Sequence, residues 1–123
     1  MPRTVTITAG SVRATAELND TAAGAAIAAK LPITAKAETW GDEIYFGLPF
    51  SAPSDKPQET VALGDLGYWP PGKAFCIFFG PTPMSQGDEI RPASPVTVVG
   101  RITGDARAFK KVRAGTGVTI EAV

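Results

Sequence analysis

The sequence contains no histidine, and that gap narrows the chemistry open to it more than anything it does contain. It rules out Ser-His-Asp triads, Cys-His pairs and histidine-ligated metal sites, so any catalysis would rest on carboxylates, Lys, Arg, Tyr or backbone groups. The single cysteine, Cys76, allows no internal disulfide, and the opening Met1-Pro2-Arg3-Thr4 lacks the apolar run of a signal peptide. A reducing, cytoplasmic setting is the expectation. Twelve basic residues balance twelve acidic ones, which leaves no global field to draw in nucleic acid or an anionic membrane. Long hydrophobic runs are missing too: the richest, residues 74–79, is the length of a strand and far short of the roughly eighteen residues of a membrane span.

What is present is ordinary globular composition, 44% hydrophobic and 20% charged over 123 residues, which suits a single domain spanning 1–123. Val5, Ile7 and Ala9 alternate with threonines, and Val12, Ala14, Ala16 and Leu18 repeat the period after Gly10-Ser11; together they predict an antiparallel hairpin. Asn19 or Asp20 can cap an alanine-rich helix over 21–30 that Pro32 stops. Residues 33–38 and 42–47 read as strands around Trp40-Gly41. The proline-rich stretch 48–59 reads as a surface loop. Short strands over 61–63 and 66–69 lead to the turn Pro70-Pro71-Gly72, and 73–79 is the strongest strand. There, Phe75, Ile77 and Phe79 face one way and Cys76 and Phe78 the other, so both faces should be buried. A polar loop over 84–94, a strand over 96–103, a helical turn over 105–109 and a strand over 117–121 complete the chain. The expected fold is mainly β, a closed barrel of about eight strands with one α-helix and a short helical turn.

Glu43-Ile44-Tyr45-Phe46, Gly64-Asp65-Leu66-Gly67-Tyr68-Trp69-Pro70-Pro71-Gly72 and Phe75-Cys76-Ile77-Phe78-Phe79-Gly80-Pro81-Thr82-Pro83 resemble a family of small bacterial and archaeal proteins called cyclophilin-like, of uncharacterised function. Leu31-Pro32 and Val98-Val99-Gly100-Arg101-Ile102 extend the likeness over most of the chain. The resemblance implies a closed barrel akin to cyclophilin with fewer helices and loops. Cyclophilins isomerise prolyl bonds with an arginine in a Phe-His-Arg type motif. With no histidine, and no arginine on 75–79, no isomerase residue carries over and no catalytic residue is assigned.

The residues that carry the resemblance also gather aromatic and polar groups that suit a small molecule or peptide: Glu43, Tyr45, Phe46, Tyr68, Trp69, Phe79, Thr82 and Arg101. Tyr68 and Trp69 either line a pocket or plug a barrel mouth. Glu43, on a largely buried strand, needs a partner, and Arg101 is one candidate; otherwise its carboxylate meets a ligand. Asp65 holds its turn or presents an acid. Thr82 and Ser85 bond to nearby backbone or orient a ligand. Cys76, between aromatics, reads as an inert hydrophobe. No loop has the ligand spacing of a Ca²⁺ or Mg²⁺ site, so neither a metal nor any other cofactor is expected. The basic group Arg101, Arg107, Lys110, Lys111 and Arg113 reads as a solvated face rather than a nucleic-acid surface. A binding module is the first reading. Its rivals are a divergent prolyl isomerase or small-amide hydrolase with Arg101 polarising a carbonyl, and a subunit of an amide-hydrolysing assembly; homo-oligomerisation stays open.

Overall fold

A computed structural model of the protein describes residues 3–123. The predicted hairpin forms from β1 (Arg3–Ala9) and β2 (Val12–Leu18), which pair in register from Arg3↔Leu18 to Ala9↔Val12. The helix α1 (Ala22–Ala28) is shorter than the alanine pattern suggests. Thr21 is its cap, accepting the Gly24 N–H at 3.0 Å, and Asn19 acts one step earlier by accepting both the backbone N–H and the hydroxyl of Thr21.

Seven further strands follow: β3 (Ile33–Lys36), β4 (Glu38–Thr39), β5 (Glu43–Gly47), β6 (Asp65–Trp69), β7 (Ala74–Phe78), β8 (Thr97–Ile102) and β9 (Gly117–Ala122). Two expectations are corrected. The strand expected over 33–38 is split at buried Ala37, where the chain leaves β9 after a last bond from the Ala37 N–H to the Thr116 carbonyl and Glu38 pairs instead with Tyr45 on β5. The short strand expected over 61–63 is reduced to a single bridge from Val61 to Ile90. Pro70–Gly72 and Ala106–Lys111 are 3₁₀ turns. All nine strands belong to one sheet in the order β3-β9-β1-β2-β8-β6-β7-β5-β4. Its two ends approach where the edge strand β3 meets β5, the neighbour of the other edge strand β4, and the sheet curls into a nearly closed barrel. Among the described residues no helix is long and apolar enough to cross a membrane.

The inside of the barrel holds the main core. It includes Val5, Ile7, Leu18, Ile44, Leu66 and Ile120, with Phe46 stacked on Phe75 at 5.4 Å between ring centres. A second, smaller core lies outside the barrel wall and contains Ala74, Cys76, Phe78, Ile90 and Val96. β7 feeds both, with all five of its residues buried. The outer core is roofed by residues 81–96, tied down by bridges from Val61 to Ile90 and from Gln58 to Val96.

Where β2 meets β8 the backbones come unusually close: a Cβ on Gly100 would run into the Glu17 carbonyl oxygen. Backbone cannot yield as a flexible side chain can, so Gly100→Ala is expected to cost about 3 kcal/mol or more, the upper end of overpacking penalties, measured as a lowered urea midpoint with an unchanged slope.

Candidate functional site

Alternation along the paired strands assigns each residue of the β5-β7-β6 strip to one side of the wall. Glu43 pairs with Phe78, Tyr45 and Gly67 both pair with Cys76, and Trp69 pairs with Ala74; these residues share the outer side. At the centre Gly67 contributes no side chain. A Cβ there would sit 3.1 Å from both Phe78 and Val96, so the glycine lets the outer core close tightly at that point.

Beside this packed patch a pocket of about 220 Å³ stays open, lined by Trp40, Glu43, Tyr45, Trp69, Cys76, Pro92, Ala93 and Val96. Strands supply the floor, while the turn after β4 and the roof segment supply the walls. Trp69 is fixed at both ends. Its indole N–H donates to Ser94 Oγ at 2.6 Å, and its ring lies over Gly72, where a Cβ would come within 2.8 Å of it. Trp40 is held through its backbone N–H, which donates to the Glu43 carbonyl at 3.0 Å.

Glu43 is the chemically unusual member. It is only 6% exposed, and its Oε1 has no hydrogen-bond partner among the described residues. Burial pushes its carboxyl up to about 7, and a hydrogen bond from the Cys76 thiol pulls back only part of the way. The thiol itself is driven well above its usual range, first by burial and then by the neighbouring carboxylate, so Cys76 stays protonated and unreactive.

Of the eight residues singled out from the sequence, the structure brings Glu43, Tyr45 and Trp69 together in this pocket. Phe46, Tyr68 and Phe79 point into the main core. Phe79 packs on Phe109 at 6.3 Å, and the Tyr68 hydroxyl accepts the Ala52 N–H at 3.0 Å. Thr82 is buried and holds the roof: its hydroxyl donates to the Arg91 carbonyl, while Ser85 Oγ accepts the N–H groups of Thr82 and Arg91.

Arg101 is exposed and lies across the ladder from Glu17 and Asp65, in a separate hollow with Asn19 and Val98. An ion pair between Glu43 and Arg101 is therefore not formed. Asp65 builds its turn, accepting the Ala62 N–H at 2.9 Å; burial raises its carboxyl, opposed by that bond and by Arg101. Within the basic group, Arg107 pairs with Asp105 and Lys110 reaches Asp42 at 3.7 Å. The described residues contain no cluster of three or more His, Cys, Asp or Glu side chains placed to hold a metal ion.

Trp40, Cys76, Pro92, Ala93 and Val96 complete the pocket without having been singled out. Only Cys76 carried a usable signal, since it stands two positions from Phe78 and opposite in phase to Phe75.

A nearly closed barrel with a second core and a pocket on its outer wall is the class of protein that this architecture defines. Residues 3–121 match the family described as Cyclophilin-like, and the chain belongs to that family. The solution structure of the hypothetical protein AF2241 from Archaeoglobus fulgidus is similar at 40% identity and a TM-score of 0.78, over 99% of this chain and 95% of that one. No curated protein matches the chain.

The Glu43 carboxyl sets a pH dependence of stability. Its folded value of about 7 lies above the ordinary 4.5, so the native state holds a proton that the unfolded state has released. Stability falls as pH rises from about 4.5 to about 7 and stays lowered above that, by about 3 kcal/mol at about 1.4 kcal/mol for each pH unit. Glu43→Gln, which keeps the shape without the charge, should be more stable than the wild type at pH 8 and show no such advantage at pH 4.5, measured by urea unfolding at both pH values.

Proposed function

We propose that this chain is a binding domain for a small molecule or for a side chain of a peptide, held in the outer-wall pocket, and that it lacks the prolyl isomerase activity of cyclophilins. The observation that carries this reading is the unpartnered Oε1 of buried Glu43 in a pocket walled by aromatic rings. An unpaired buried carboxylate is costly, and such costs concentrate where a ligand supplies the missing partner. The volume falls below the usual range of about 300–1,000 Å³ for drug-sized ligands, which suits a ligand or side chain of few atoms.

A catalytic use has one point in its favour, a carboxyl poised near neutrality. Against it, the pocket offers neither histidine nor arginine, and Arg101 lies in another hollow.

Ala93 is exposed on the pocket rim, so Ala93→Phe should block the pocket and leave the barrel folded. In a thermal-shift screen of a metabolite library, compounds that raise the melting temperature of the wild type should leave Ala93→Phe unmoved; equal shifts in both proteins would place binding elsewhere. In a protease-coupled assay of a proline peptide, the wild type and Arg101→Ala are both expected to run at the spontaneous rate. A wild-type acceleration that Arg101→Ala abolishes would sink the noncatalytic reading.

A further inference from the structure

The pocket carries more than a general invitation to a ligand, because its chemistry is lopsided. Three of the chain's four Trp and Tyr residues, Trp40, Tyr45 and Trp69, stand around it, and Glu43 is its sole acidic member. The rest of the lining is Cys76, Pro92, Ala93 and Val96, and no lysine or arginine is among the lining residues. Ring faces of Trp and Tyr are electron-rich and attract cations. A carboxylate oxygen without a partner accepts N–H donors, most strongly charged ones. An anion would meet repulsion from both. A neutral apolar guest would leave Glu43 Oε1 as unsatisfied as it is in the free protein.

Resting on the binding reading above, we infer that the pocket takes a small organic cation with an N–H to donate, an ammonium or amidinium group on a short apolar body. The group seats against Glu43, and the body lies among Trp40, Tyr45 and Trp69. The same chemistry ends a free amine or amidine and a lysine or arginine side chain of a peptide.

Binding exchanges a proton for the cation. The titratable groups that share the pocket with Glu43 are Cys76 on β7, which stays a thiol, and Tyr45 on β5; the adjacent Asp42 is engaged by Lys110. Glu43 therefore sets the response. Below about 7 the guest must displace a proton, so cation affinity rises about tenfold between pH 6 and pH 8.

The experiment is isothermal titration of the full chain with benzylamine and benzamidine, with the neutral isosteres benzyl alcohol and benzamide, and with capped lysine and arginine amides. Both cations bind at least tenfold more tightly than their neutral counterparts at pH 8, more weakly at pH 6, and release protons on binding at pH 6.5. Glu43→Gln removes the cation preference and leaves the weak neutral binding. If the capped amino acids alone bind, the cation is a peptide side chain; if the free bases alone bind, it is a small molecule.

Neutral guests binding as well as cations, or cation affinity that falls from pH 6 to pH 8, would overturn the cation assignment while leaving a binding pocket in place. If no probe binds and the library screen finds no compound whose shift Ala93→Phe removes, the cation assignment and the binding reading fall together.

Discussion

Strand β7 is buried on both faces, and most of the structure follows from that requirement. A strand with apolar side chains on both sides needs two layers. The barrel interior supplies one, where Phe75 and Ile77 pack. The other has to be built outside the wall, against Cys76 and Phe78. No helix is available for it, so residues 81–96 cross the sheet as an irregular cover, held by side chain to backbone bonds from Thr82 and Ser85. An irregular cover fits less completely than a helix or a second sheet, and the space it leaves is the pocket.

The position of Glu43 sharpens this. At the start of β5, opposite Phe78, it is a carboxylate in the seam between the barrel wall and its cover. Nothing on the barrel side neutralises it, and a thiol is a weak hydrogen-bond donor. The protein keeps a group whose ionised form is disfavoured by its surroundings, in the same pocket as the Trp69 ring, which is fixed by its bond to Ser94 and its packing over Gly72. On the proposed binding reading, a fixed Trp69 wall beside an unsatisfied carboxylate leaves little ordering to be done when a guest arrives.

Much of the fold was legible in the sequence because period-two patterns are strong on β1, β2 and β9, an unbroken apolar run marks β7, and Pro32 and Pro70-Pro71 punctuate the chain where it turns. The site was legible only in part. Glu43 and Tyr45 are two apart on one strand and share a face, as alternation requires. Phe46 and Tyr68 stand out of phase with them, but with both faces of the strip apolar, the pattern does not say which phase faces inward. Trp40, Pro92, Ala93 and Val96 arrive from loops, and their neighbours are set by tertiary packing. Arg101 was misplaced relative to Glu43 for a related reason: the β6-β8 register, with its shift between Leu66 and Gly67, puts it opposite Asp65, and no local pattern encodes that register.

The two origins of the pocket bear on how the family can diversify. Its floor is strand backbone and side chains that the barrel cannot exchange without losing its own packing. Its far wall, Pro92 to Val96, belongs to a loop-like cover whose exposed members, such as Ala93, contribute little to either core. Substitutions at those exposed positions can reshape the pocket at small cost in stability, so one barrel can carry pockets of different shape.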